Sequence, residues 1–217
     1  MADPARHKLR WYQFSLRSLF VMMTLFGVGC SWYAYEMDKA AKRRAAIAEI
    51  TKLGGSVYYF NPNHSEYTGG TPRKWYSWLR RLHGDEQLGI LVCVNLTSEE
   101  ITDADLVHLE VLTTLEDLRL GRTQVSDAGM VHLKCLTALR GLELDHTQIS
   151  DAGLEHLKGL RKLRYLDLQD TRITDAGLEH LKGLSELYSI DLCQTDVTYE
   201  GAKKFEKLLP DRHCRAP

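Results

Sequence analysis

Four histidines recur at one spacing and are, by residue type, the side chains of this chain best suited to chemistry. They stand every 24 residues, at His108, His132, His156 and His180. Imidazole is a common ligand of zinc, copper and nickel, so such a row could bind a transition metal. Residues that repeat in register stack in a line, however, and a line does not form a tetrahedral pocket. The spacing therefore favours half-buried repeat positions, paired to backbone or to nearby acids, over a metal site.

Other signatures of catalysis or metal binding are missing from the sequence. The five cysteines are odd in number and form no Cys-x-x-Cys pair, which argues against a zinc site and a disulfide framework. No HExxH motif, phosphate loop or nucleophile elbow occurs, and the carboxylates follow a repeat instead of forming an isolated acid–base pair. We therefore predict no enzymatic activity, no cofactor, no metal and no small-molecule substrate.

The length and charge of the chain set coarse limits on its function. Its 217 residues carry a formal net charge of −1. A typical domain of roughly 100–200 residues leaves room for one domain with appendages. A net charge near zero gives no indication of a nucleic-acid partner.

A 24-residue repeat organises the chain from residue 91 onward, with repeats beginning at residues 91, 115, 139, 163 and 187. Each repeat has seven apolar slots, which in the third are Leu139, Leu142, Leu144, Ile149, Leu154, Leu157 and Leu160. The Leu-x-Leu alternation predicts a short strand, and the Ser or Thr that follows, usually before Asp, predicts a helix start. Each repeat leaves an apolar edge that only its neighbour can cover, so the repeats should stack, with the strands forming a parallel sheet.

This pattern resembles the leucine-rich-repeat family, whose signature LxxLxLxxN/CxL takes the form LxxLxLxxTx(I/V) here. It is also similar to the bacterial and F-box-associated variety with (I/V)(S/T)DAGL, matched at residues 125–130, 149–154 and 173–178. The resemblance covers residues 91 to 210 and implies an α/β solenoid with a short parallel sheet on the concave side and helices on the convex side. Together with the N-terminal region, it is similar to bacterial membrane-anchored repeat proteins of unassigned biochemistry.

The sequence departs from the family pattern at the turns and at the two ends of the array. Thr123, Thr147, Thr171 and Thr195 replace the usual turn asparagine, and Glu99 stands there in the first repeat. A threonine ladder is feasible because a hydroxyl both donates and accepts hydrogen bonds. Asp105 replaces the glycine of the other repeats, and Tyr199 replaces the aspartate. We expect the first and last repeats to be capping repeats.

An uncharged apolar segment from Ser18 to Tyr35 predicts a single-pass transmembrane helix. Eighteen helical residues span roughly 27 Å, close to the hydrocarbon thickness of a bilayer. A cleaved signal peptide, or a lipoprotein site at Gly29-Cys30, are the alternatives. Basic residues are balanced on the two sides, and the short N-terminal arm favours an N-terminus in the cytoplasm with the repeats outside.

The sequence predicts five parts: a basic arm (1–17), the transmembrane helix (18–35), a connector and N-terminal cap (36–90), the repeats (91–210) and a tail (211–217). In the connector, a helix should end at Gly54-Gly55 and a strand should follow over 56–60. Residues 73–84 form a basic amphipathic pattern, which fits a lid on the repeat core or a helix on a membrane surface. The segment 205–214 should seal the last core edge.

The strand positions between the leucines should face the concave surface, where repeat proteins generally bind partners. We predict a protein-interaction module held at a membrane, with an unidentified protein docking on this face. Alternatives are an adaptor of the ubiquitin-ligase kind, which the F-box resemblance suggests, and a metal-binding protein that uses the histidine row. The later repeats are acidic, so the face is either a docking patch for a basic protein segment or merely solvated. The predicted partner-binding residues are Asp117, Arg119, Glu143, Asp145, Tyr165, Asp167, Gln169, Asp170 and Asp191.

Overall fold

A computed structural model describes residues 16–60, 68–69, 90–208 and 213–215. The chain divides into two compact parts, Met1–Lys39 and Ala40–Pro217. Helix α1, Leu16–Lys52, includes the helix predicted over residues 18–35 and its predicted continuation. Within the described residues, no helix combines the length and the apolar character needed to cross a bilayer, so the predicted transmembrane helix is not supported.

One mixed sheet of eight strands runs through the second part, in the order β2-β1-β3-β4-β5-β6-β7-β8. Strands β3 to β7 are parallel, as the repeat predicted, and β8 continues them in parallel, while β1 is antiparallel to both β2 and β3. The antiparallel start was not predicted. The strands are β1 (Ser56–Phe60), β2 (Thr68–Gly69), β3 (Ile90–Asn95), β4 (Asp117–Arg119), β5 (Gly141–Glu143), β6 (Tyr165–Asp167), β7 (Ser189–Asp191) and β8 (His213–Arg215).

Each repeat continues from its strand into a short helical segment. The first two segments are 3-10 helices, Asp103–Leu109 and Gly129–Cys135. The third repeat has a turn of α-helix, Asp151–Leu154, continued by a 3-10 turn, Glu155–Leu157. The last two are the α-helices Asp175–Leu181 and Tyr199–Leu208.

The apolar slots of the repeats form one continuous core, as predicted. Every slot whose side chain is described is at most 3% exposed; the side chains of Leu91 and Leu208 lie outside the described set. Burial of a leucine contributes about 1.5–3 kcal/mol relative to its exposed state, so this core is the main stabilising term.

Aspartates join each repeat to the next through what we call the Asp–Ser/Thr ladder. One carboxylate oxygen accepts the backbone N–H of the Ser or Thr that opens the next helical segment, and the other accepts its hydroxyl. The distances are 2.5–2.8 Å throughout. The pairs are Asp103–Ser126, Asp127–Ser150, Asp151–Thr174 and Asp175–Thr198.

The glycine of the DAGL motif leaves room for this ladder. A Cβ on Gly177 would lie 2.2 Å from Oδ1 of Asp151, which is fixed by its two bonds to Thr174. The glycines of the second, third and fifth repeats meet the preceding aspartate in the same way. The glycine is therefore required by the neighbouring repeat and not by its own backbone, since its φ is not positive.

The two departures from the motif lie in the first and last repeats, where the ladder ends. In the first repeat the carboxylate of Asp105 stands at the glycine position. It accepts both the backbone N–H and the hydroxyl of Thr102, at 2.8 Å each. It thereby replaces the aspartate that a preceding repeat would supply. In the last repeat Tyr199 stands at the aspartate position, and its side chain is exposed.

The turn threonines act within their own repeats. Thr123, Thr147, Thr171 and Thr195 each donate a hydroxyl hydrogen bond of 2.6–2.7 Å to the carbonyl three residues earlier. These bonds lie within single repeats. They therefore do not form the ladder between repeats that the sequence made feasible.

The ends of the core are covered by elements outside the five repeats. At the N-terminal end, Ile50 of α1 is fully buried in the core, and Val57 and Tyr59 of β1 pack against it. The helix ends as predicted, with Gly54 at a φ of 78°. The predicted lid over 73–84 lies outside the described residues. At the C-terminal end, Cys214 packs against the core from β8, as the predicted seal requires.

We expect Gly177→Ala to lower the free energy of unfolding by roughly 1–3 kcal/mol, because the new methyl group overpacks the ladder. Alanine has the higher helix propensity by about 1 kcal/mol, so propensity alone would give the opposite sign. Urea unfolding followed by circular dichroism measures the change.

The control is Gly183→Ala, since a Cβ there meets no atom within 4 Å. In the Asp151→Ala background the obstructing carboxylate is gone, so Gly177→Ala should cost little there. Equal losses from Gly177→Ala with and without Asp151 would show that the glycine does not serve the ladder.

Candidate partner-binding surface

The side chains between the leucines form what we call the open sheet face, because the other face of β3–β8 carries the buried slots. Arg119 and Tyr165 are exposed, and Glu143 and Asp167 are half-buried, while Leu118, Leu142 and Leu166 on the same strands are fully buried. The in-register pairing of parallel strands places equivalent residues side by side. The face is therefore made of columns that run across the strands.

The central column of the open sheet face carries five charged side chains. Its residues, in strand order, are Asn95, Arg119, Glu143, Asp167, Asp191 and Arg215. Arg119 Nε lies 3.3 Å from Glu143 Oε1, and Arg215 Nη1 lies 3.3 Å from Asp191 Oδ2. Each end of the acidic run thus has its own cation.

Asp167 occupies the middle of this column and receives hydrogen bonds from neutral groups. Tyr165 donates its hydroxyl to Asp167 Oδ2 at 3.0 Å, and the backbone N–H of Gln169 donates to Oδ1 at 3.0 Å. Within the described part of the chain, Asp167 has no ion-pair partner. Its carboxylate is oriented by these contacts but is not neutralised.

The titration behaviour of this face reflects crowded, partly desolvated acids. Burial raises the pKa of Glu143, although Arg119 opposes the shift. Burial, and then the charge of Glu116, raise the pKa of Asp117. Burial and the adjacent Asp167 carboxylate also raise the pKa of Tyr165. For Asp191, burial alone would raise the pKa. Hydrogen bonds from Cys193 and Arg215 outweigh burial, so the pKa of Asp191 falls below its usual value.

Two glycines on this face make space for acids of neighbouring strands. A Cβ on Gly141 would lie 2.3 Å from Oδ1 of Asp117, and a Cβ on Gly121 would lie 2.1 Å from Oδ1 of Asp145. Asp117 and Asp145 therefore flank the central column on either side. Gln169, beyond Asp167, donates to the Gln194 side chain at 2.9 Å.

Asp170 lies at the rim of the face, in the turn after β6. It has a φ of 52°, and His146 in the preceding turn has the same value. Their side chains meet at 2.6 Å between His146 Nδ1 and Asp170 Oδ2. Asp145 and Gln169 also lie in turns, but among the predicted binding residues only Asp170 has a positive φ.

The histidine row lies in the helical segments, away from the open sheet face. All four imidazoles are half-buried, and His132 Nδ1 lies 2.7 Å from Glu110 Oε1 of the preceding repeat. Across residues 16–60, 68–69, 90–208 and 213–215, no group of three or more His, Cys, Asp or Glu side chains is arranged to hold a metal ion.

Sequence reasoning missed Arg215, which ends the central column. The strand β8 belongs to a partial sixth repeat, because Cys214 and Arg215 stand 24 residues after Ile190 and Asp191. That spacing was the available signal. It was overlooked because the tail lacks the leucines that mark the other strands.

The family model described as Leucine Rich repeat matches residues 111–134 and 159–182. The chain therefore contains leucine-rich repeats. Each matched segment has the length of one repeat; the first includes part of the helical segment Gly129–Cys135, and the second includes all of Asp175–Leu181. No curated protein sequence matches the chain.

Solved structures with some similarity to this leucine-rich-repeat protein come from bacteria and a plant. A Leptospira interrogans LRR protein is 19% identical over 50% of this chain and 27% of its own, with a TM-score of 0.40. A Listeria monocytogenes internalin is 22% identical over 53% of this chain and 38% of its own, with a TM-score of 0.39. The LRR ectodomain of the Arabidopsis thaliana receptor kinase SOBIR1 is 17% identical over 82% and 97%, with a TM-score of 0.42. No functional inference follows from similarities this weak.

We expect Arg119→Gln to raise the pKa values of both Glu143 and Asp117, since the positive charge of Arg119 lowers both. Carbon-detected NMR titration of the carboxyl groups measures the two values. Arg161→Gln, which removes an exposed cation outside the face, is the matched control and should leave them unchanged.

The sign of the linked stability change follows from the raised native pKa. Glu143 binds its proton more tightly in the native chain than in the unfolded chain. Its contribution to stability is therefore fully present below the unfolded pKa and is lost as the pH rises through the higher native pKa. Arg119→Gln should enlarge that loss. A pKa of Glu143 that stays constant or decreases in this variant would contradict the assigned ion pair.

Proposed function

We propose that this leucine-rich-repeat protein is a non-enzymatic interaction module that binds a protein partner on its open sheet face. The observation that carries the proposal is the composition of that face: charged side chains and one exposed tyrosine on a rigid sheet. Leucine-rich and related repeats commonly bind partners on such an extended strand surface. A rigid sheet also presents side chains at fixed spacing, which reduces the ordering cost of binding.

The proposal is tested by photocrosslinking from three tyrosine positions in the native cell. A photoreactive phenylalanine analogue replaces Tyr165 on the open sheet face, or Tyr188 or Tyr199 elsewhere; all three side chains are exposed. We expect a discrete protein adduct from position 165 alone, identified by mass spectrometry. Adducts from positions 188 or 199, with none from 165, would place the binding surface elsewhere and refute the proposal.

Membrane attachment of the module is a second, separate proposal. Its support is the exposure of large apolar side chains in the first half of α1, with Phe26 73% and Trp32 64% exposed. Exposed apolar side chains of this size favour transfer to a lipid interface, and tryptophan prefers the headgroup region. Attachment does not require that the helix spans the bilayer.

Flotation with phosphatidylcholine vesicles, followed by a carbonate wash, tests the attachment. We expect the full-length chain to float, and the variant Phe26→Lys with Trp32→Lys to remain in the dense fraction. Val131→Lys changes an exposed apolar residue of the repeats and is the control that should still float. Recovery of the unmodified chain in the soluble fraction would contradict the proposal.

A further inference from the structure

The acids of the open sheet face differ in how far the protein itself neutralises them. Glu143 and Asp191 each have an arginine at 3.3 Å, while Asp167 between them receives hydrogen bonds from a tyrosine hydroxyl and a backbone N–H. In-register strands lie about 4.8 Å apart, so Asp167 has a carboxylate on each side at short range. A positive charge placed at the centre of the column is therefore attracted most strongly.

The geometry at Asp167 leaves capacity for such a charge. A carboxylate has about four acceptor sites, and the two contacts above use one on each oxygen. Tyr165 and Gln169 fix the carboxylate in one orientation, so little side-chain freedom would be lost on binding. A guanidinium or an ammonium group fits the remaining sites.

The surroundings of Asp167 supply an aromatic surface. Tyr165 is 39% exposed, and an aromatic ring beside a carboxylate attracts a cation by its quadrupole. Tyr165 also lines an open depression with Ser189, Ile190, Asp191, Glu206, Cys214 and Arg215 at the β7–β8 end of the sheet, and Asp167 is not among its lining residues.

Charge complementarity thus selects one class of partner. We propose that the open sheet face binds a basic, extended segment of a partner protein, with an arginine or lysine side chain of that segment on Asp167 beside Tyr165. This inference rests on the proposed function and specifies its partner chemistry. Two strand spacings, from Glu143 to Asp191, correspond to about three residues of extended peptide, so alternate side chains of a short basic segment span the acidic run.

The test uses a labelled hexapeptide of alternating arginine and serine with blocked ends, and the full-length chain. Fluorescence anisotropy at fixed ionic strength gives the Kd. A peptide with citrulline in place of arginine has the same shape without the charge. We expect the arginine peptide to bind, and the citrulline peptide to bind at least tenfold more weakly, because charge-assisted hydrogen bonds are lost.

The deciding comparison is between two variants that each remove one negative charge. Asp167→Asn is expected to weaken binding of the arginine peptide about tenfold or more. Glu179→Gln, on an exposed helix position, should change it less than twofold. Unchanged thermal unfolding of both variants verifies that the fold is retained. Equal weakening by the two variants, or equal binding of the citrulline peptide, would overturn the inference.

The outcome also separates this inference from the proposed function. If the arginine peptide does not bind but photocrosslinks still form at position 165, the partner chemistry is wrong and the binding face stands. If photocrosslinks form at positions 188 or 199 instead, the binding face itself is wrong.

Discussion

No single repeat of this chain can bury its own leucines, and this constraint determines the rest of the structure. Each strand and helical segment has an apolar edge that is covered when the next repeat stacks on it. The result is a core in which the described slots are at most 3% exposed. Stability in such an array comes from contacts between nearest neighbours, so the coupling between repeats matters more than the stability of any one.

The Asp–Ser/Thr ladder supplies a directional contact where the apolar slots alone would not fix the register. The carboxylate of Asp127 holds Ser150 of the next repeat, and that repeat must have a glycine at position 153 to accept it. The DAGL motif therefore acts between two repeats: the aspartate of one repeat needs the glycine of the next. The same logic applies to Asp105, whose carboxylate accepts from Thr102 of its own repeat where the other repeats use the aspartate of the preceding one.

The stacking that builds the core also builds the charged face. Since equivalent residues fall into columns, acids at one offset in three successive repeats are forced together as Glu143, Asp167 and Asp191. Three like charges side by side on neighbouring strands are destabilising, because they repel one another. Here two of them are neutralised by arginines of the flanking strands. The partial charge balance of this face, and not its shape, is the basis of the proposed preference for a basic partner.

The sequence was sufficient to predict the repeat core, because a 24-residue period with seven apolar slots has one simple explanation. The exceptions at Asp105 and Tyr199 led us to expect capping repeats at both ends, but α1 and β1 at one end and β8 at the other lie beyond those repeats and pack on the core. The sequence did not reveal the hydrogen bonds that Ser126 donates to Asp103 of the preceding repeat. A Ser or Thr followed by Asp is also typical of a helix N-terminus, so the pattern suggested a contact within one repeat. The sequence predicted the strand β1 but missed its antiparallel pairing, and it missed Arg215, since neither follows a leucine pattern. The apolar character of residues 18–35 predicted a membrane-spanning helix, which the described helices do not support.

Coupling between neighbouring repeats is tested most directly by hydrogen exchange and mass spectrometry on Leu166→Asp. Leu166 is fully buried at the centre of the stack, and Tyr165→Asp places the same charge on the exposed side of the same strand. An uncompensated charge in the core should remove amide protection from the fourth repeat and from both of its neighbours, while Tyr165→Asp keeps it. Loss of protection confined to residues 163–186, with neighbours exchanging as in the unmodified chain, would contradict the account.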